Sequence, residues 1–151
     1  MRLSGGFGLP AWVMVLGGLF WMLSLPVSQA EDIQAWMSQA SAAVQRGDFK
    51  TAEKQYRRVL KEAPDEPNAQ LGLASTLMAE QRATEARVIL EALLKKNPDF
   101  QPAYYLLGMA YEAGGDMARA RAAYQAYVSS NPSRVSTDPQ VRIKLRQMGI
   151  F

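Results

Sequence analysis

Three prolines, Pro64, Pro98 and Pro132, stand 34 residues apart, and other residues keep step with them. Ala52, Ala86 and Ala120 share one register, and Tyr56, Leu90 and Tyr124 share another four residues later. A fixed period of this length means that one supersecondary unit is written three times. No single copy can bury its apolar face alone, so copies must stack. Within each period the apolar residues recur at three- and four-residue spacing, which is helical. Gly47-Asp48 and Gly114-Gly115 break the period at its middle and Asn97-Pro98 breaks it at its end.

The third copy carries the fullest pattern: Tyr104-x2-Leu107-Gly108-x2-Tyr111, then Ala120-x3-Tyr124, then Asn131-Pro132. The first copy keeps Trp36, Ala40 and Ala43 at the corresponding places, and the second has Gln70, Ala74 and Leu77. This arrangement resembles the tetratricopeptide repeat family. The resemblance implies an all-α solenoid of three helical hairpins, over residues 33–66, 67–100 and 101–134, wound as a right-handed superhelix. The expected helices are Ile33 to Arg46 and Phe49 to Glu62, Asn68 to Glu80 and Thr84 to Lys96, and Pro102 to Ala113 and Met117 to Ser130. Pro64 and Pro67 bracket the first exit. Gln81 stands where the other copies have glycine, so this turn is expected to be less sharply specified.

Residues 135–151 read as a capping helix and tail. Asp138 suits an N-cap, Pro139 the first helical position and Gly149 the end. Val141, Leu145 and Met148 share one face, while Arg142, Lys144 and Arg146 occupy the rest.

Residues 1–30 differ in kind. After Arg2 no charge occurs until Glu31, and Leu9–Leu25 is a strongly apolar run followed by Pro26, Ser28 and Ala30. A basic start, an apolar core and small residues before a cut describe a secretory signal, cleaved after Ala30. The alternative is a retained anchor, because the run is just long enough to span a bilayer. Either version places the repeats outside the cytoplasm, which in a Gram-negative cell means the periplasm.

Cysteine and histidine are both absent, which excludes thiol nucleophiles, disulfides, Cys/His zinc sites and imidazole catalysis. No phosphate-binding glycine loop or paired catalytic carboxylates are visible, so neither an enzyme nor a cofactor is expected. From Glu31 onward, 17 − 1 = 16 basic residues face 14 acidic ones, too even a balance for a nucleic-acid partner.

Function must then lie on surfaces that stacking leaves unused. Trp36, Tyr56, Tyr104, Tyr111 and Tyr124 occupy pattern positions and are assigned to packing. A second stripe on the first helix of each copy reads Met37, Ser41 and Val44, then Leu71, Ser75 and Met78, then Tyr105, Met109 and Glu112. By the resemblance these rows line the concave wall, with Asn68 beside them. That wall fits an apolar peptide or helix of a partner protein, since methionine adapts to varied apolar anchors. About four anchors at ~2 kcal/mol each, less ordering and desolvation, suggest micromolar or weaker binding. The alternative is that stacking or the tail buries the same stripe. No lysine or arginine lies in these rows, so the clamp by which some relatives grip a C-terminal carboxylate is not expected.

Lys50, Lys54, Arg57, Arg58 and Lys61 form a basic ridge on the second helix. It reads as an ordinary solvated face, or as a patch meeting anionic lipid or an acidic partner. The overall expectation is an interaction scaffold that helps assemble an envelope complex. Pilus or secretion assembly, polysaccharide export and cytochrome maturation are the contexts that the resemblance implies. Self-association and a permanently anchored subunit are the other readings.

Overall fold

The computed structural model describes residues 25–130 and 139–150, and among these every regular element is a helix. In chain order they are α1 (Leu25–Gln45), α2 (Phe49–Glu62), α3 (Pro67–Ala79), α4 (Ala83–Lys96), α5 (Gln101–Ala113), α6 (Met117–Ser130) and α7 (Pro139–Gln147). The chain divides into two units, residues 1–35 and 36–151. The described part of the first is the beginning of α1. Most of the apolar run, with Asn131, Pro132 and the expected N-cap Asp138, lies outside the described residues.

Helices α2 and α6 have the expected bounds. Helix α4 begins one residue early, at Ala83. Helices α1, α3 and α5 start earlier with a proline in the first turn, because a proline lacks the N–H that a first turn cannot pair anyway. Pro67 therefore lies inside α3, where it was expected to mark the exit, and Glu66 caps the helix by accepting from the Asn68 amide at 3.3 Å. Pro102 likewise sits in the first turn of α5. The largest departure is α1, which begins eight residues before Ile33, at Leu25, with Pro26 in its first turn.

All three hairpins turn the same way. Gly47, Gln81 and Gly115 have φ of +74°, +63° and +80°. The amides of Asp48, Arg82 and Asp116 then reach back to the carbonyls of Ala43, Leu77 and Tyr111, each at 2.9 Å. This is the six-to-one closure that ends a helix on a left-handed residue. The expectation for Gln81 is thus corrected. Its turn is as sharply formed as the glycine turns, because the closing bond and the next helix dictate φ whatever the side chain. Asp48 and Asp116 add caps, accepting from the amides of Thr51 at 3.1 Å and Arg119 at 3.0 Å.

Packing follows the register. Ala52, Ala86 and Ala120 are wholly buried, as are Leu90 and Tyr124, and Tyr56 nearly so. A Cβ on Gly108 would lie 2.5 Å from the Tyr124 ring, and one on Gly72 would lie 2.4 Å from the Tyr56 ring. Two further aromatics, Tyr104 and Tyr111, are only half-buried, as is Trp36, which lies under the Arg58 guanidinium 4.2 Å from its ring centre. Helix α7 repeats the first-helix register once more. Val141 and Leu145 stand 34 residues beyond Leu107 and Tyr111 and are buried against Ala120, Tyr124 and Tyr127. Gly149 (φ +66°) and the Ile150 amide, bonded to the Leu145 carbonyl at 3.0 Å, close it with the same turn.

Ion pairs tie neighbouring hairpins. Arg82 reaches Glu53 of α2 at 2.8 Å, Glu80 at 2.9 Å and Glu85 at 2.7 Å. Its guanidinium holds the Glu53 and Glu85 carboxyls below their ordinary value. Lys144 of α7 pairs with Glu112 of α5 at 2.6 Å, and Lys96 pairs with Asp65.

Two outcomes follow. Gln81→Gly removes about 1–2 kcal/mol of left-handed strain but restores about 0.4–1 kcal/mol of unfolded-chain freedom, so the melting temperature rises by about 1–3 °C. A fall on calorimetry would mean that the side chain, not the backbone, governs this turn. Arg82→Gln is destabilising at pH 7. Acids with depressed pKa stabilise the fold above their unfolded value near 4.5 and lose that contribution as pH falls. The gap in melting temperature between wild type and variant should close on acidification below pH 4.5; a constant gap would exclude the carboxylates as its source.

Candidate functional site

Helices α1, α3 and α5 are the first helices of successive hairpins, and between them opens a cleft of ≈ 460 Å³. One wall is Met37, Ser41 and Val44 of α1, and the other is Asn68, Leu71 and Ser75 of α3. Pro102 and Leu106 of α5 close the far side, and Tyr56 of α2 with Gly72 forms the floor. The floor has a definite cause. Gly72 lacks the side chain that would hold α3 away from the Tyr56 ring, so the ring slides beneath it.

The chemistry of the cleft is apolar with hydroxyl and amide groups at its edge. Ser41 donates to the Met37 carbonyl at 3.0 Å and keeps its oxygen lone pairs outward as an acceptor. Ser75 and Asn68 are exposed. None of the lining residues is charged. Such a lining favours a segment presenting aliphatic or aromatic anchors, with spare hydrogen-bonding capacity for the segment's backbone. No group of acidic side chains among the described residues could hold a metal ion.

Six of the ten groove residues chosen from the sequence meet in this cleft, and Met78, Tyr105, Met109 and Glu112 are not among its lining. Tyr105 tilts against Tyr124 and Tyr127, with ring centres 5.5 and 5.4 Å apart, in the cluster that α7 covers. Glu112 accepts the Tyr124 hydroxyl at 3.0 Å as well as Lys144. Burial, with this carboxylate next to it, pushes the Tyr124 phenol well above its ordinary range. Met109 is partly exposed and Met78 half-buried. Tyr105 and Glu112 of the third row thus meet the tail helix, and the open cleft belongs to residues of the first two rows.

Sequence reasoning missed Tyr56, Gly72, Pro102 and Leu106. The period itself contained the signal for one of them: Pro102 stands 34 residues after Asn68, whereas Leu106 stands 34 after Gly72, which the chosen stripe also left out. Tyr56 was assigned to packing, and it does pack, while also presenting a face to the cleft.

The basic ridge lies on α2, where Lys50, Lys54, Arg57, Arg58 and Lys61 surround Glu53 on one open face. Arg57 bonds Glu53 at 2.8 Å and Arg58 reaches Gln55 at 3.4 Å while covering Trp36.

Known structures share this architecture. The first tetratricopeptide domain of Spaghetti (RPAP3), bound to the HSP90 peptide SRMEEVD, superposes with a TM-score of 0.71 at 16% identity, over 79% of this chain and 91% of that one. The TPR2B domain of yeast Sti1 in its pHsp70 complex gives 0.68 at 20%, over 78% and 93%. MamA from Desulfovibrio magneticus RS-1 gives 0.68 at 24%, over 78% and 64%. No curated protein matches the sequence. The family profile described as "Tetratricopeptide repeat" matches residues 43–100 and 77–143, together most of the chain, from the end of α1 into α7. The chain belongs to the tetratricopeptide repeat family.

Proposed function

We propose that this protein is a non-enzymatic interaction scaffold that receives an apolar segment of a partner protein between α1, α3 and α5. The observation that carries this reading is the uncharged cleft over Tyr56 and Gly72. Two of the similar structures are peptide or chaperone complexes, which supports the binding class. The HSP90 peptide in one of them, SRMEEVD, carries three acidic side chains. This cleft offers no cation to meet them, so its partner presents a neutral, apolar stretch.

The setting we propose is the cell envelope, where the scaffold assists assembly of a larger complex of the pilus, secretion, export or cytochrome-maturation type. Support comes from the apolar run Leu9–Leu25 behind Arg2 and the small residues Ser28 and Ala30. A second reading, a subunit anchored permanently by an uncut N-terminal segment, has one observation in its favour. Helix α1 continues through Ala30 and Glu31, and a paired helical backbone is a poor protease substrate.

Photo-crosslinking in the full chain tests both. A crosslinker at Ser41 or Ser75 should yield one discrete protein adduct, and Leu71→Glu in the same chain should cut the yield at least tenfold with helical circular dichroism unchanged. Adducts formed only from a crosslinker at Lys54 would move the interface off the cleft. The intact mass of the recovered chain separates the settings. A product lacking residues 1–30 supports export, and the uncut 16.7 kDa chain supports the anchored subunit.

A further inference from the structure

We propose that the basic ridge on α2 is a docking surface for an anionic phospholipid bilayer, independent of the cleft. Five cations and one acid share this face, 5 − 1 = +4, against +3 for the whole chain. The rest of the molecule is therefore close to neutral, and its positive field is concentrated here.

The charges on the ridge are not equally engaged. Glu53 is held by Arg82 of the next hairpin as well as by Arg57, so its charge is consumed within the fold. Arg58 is drawn onto Trp36. Lys50, Lys54 and Lys61 are exposed and form no ion pair among the described residues, whereas Lys96 and Lys144 each have a carboxylate. Spacings of four, three and four place Lys50, Lys54, Arg57 and Lys61 along one face of a straight helix, a line of about 16 Å.

The partner's chemistry follows from what the face lacks. A protein interface has an apolar centre, and no apolar residue lines this face. A single bound anion would call for a free guanidinium fork or a buried polar cradle, and Arg57 and Arg58 are already engaged by Glu53 and Trp36. Compact ammonium charges on flexible stems, spread along an open line, instead suit many mobile phosphates in a plane. The apolar run Leu9–Leu25 gives the same chain a separate reason to meet a bilayer.

The test is lysine acylation of the full chain, read residue by residue by mass spectrometry. Vesicles of phosphatidylglycerol and phosphatidylcholine are compared with phosphatidylcholine alone. Insertion of the apolar run would affect both vesicle types alike, so it cannot mimic the expected pattern. At low salt, acylation of Lys50, Lys54 and Lys61 should slow at least threefold on the anionic vesicles only, while exposed Lys95 is unchanged. The protection should vanish in 0.5 M salt, where screening shortens to a few ångströms, about 4 Å. Each lysine near such a surface is worth about fivefold in partition. The triple variant Lys50→Gln, Lys54→Gln, Lys61→Gln should accordingly lose at least tenfold of its preference for anionic over neutral vesicles. Absence of protection, equal protection on both vesicles, or Lys95 protected as strongly would overturn the proposal. The ridge would then belong to an acidic protein surface or to solvent.

Discussion

Each hairpin closes on a residue that has almost no side chain. Ala52, Ala86 and Ala120 are wholly buried, and Gly72 and Gly108 lie directly beneath tyrosine rings. Close approach of this kind fixes how far apart the helices stand, and everything larger must be fitted around it. The first helices then line up side by side with the second helices behind them. The side chains that face away from this packing are left to form a wall. The cleft is thus a by-product of stacking rather than a separate construction, and its floor uses a residue, Tyr56, that also belongs to the core.

Much of this was legible because a repeat writes its instructions several times. A 34-residue period reports the hairpin, its small contact positions and its turn without any knowledge of distant contacts. The bounds of α2 and α6 followed from flanking turn residues alone. What stayed hidden was decided by neighbours. Gln81 takes a left-handed conformation because the Arg82 amide closes on Leu77, a constraint invisible in glutamine's own preferences. Tyr105 and Glu112 share the periodicity of Met37 and Val44, yet α7 draws them into a different environment. Periodicity assigns a residue to a face of its helix; only tertiary packing decides what covers that face.

The charges separate in the same manner. Those at hairpin boundaries are spent on holding neighbours together, with Arg82 spanning Glu53, Glu80 and Glu85 and Lys144 meeting Glu112. A sequence-level count of 17 basic and 14 acidic residues says nothing about this division. It becomes meaningful once the internal pairs are removed and Lys50, Lys54 and Lys61 are seen to stand together on α2.

Helix α7 also bears on how long such an array can become. A stack of like hairpins is an open lattice in one dimension, since each unit offers its successor the same seat that it occupied itself. α7 takes that seat through Val141 and Leu145. It then places Arg142 at the register of Gly108, where a following second helix would need to bring a ring close, while Lys144, at that of Ala110, turns back to Glu112. A further hairpin seated there would meet the Arg142 side chain in the place of a glycine socket. Helix α7 thus covers the apolar face of the third hairpin and carries charge where that hairpin carries glycine.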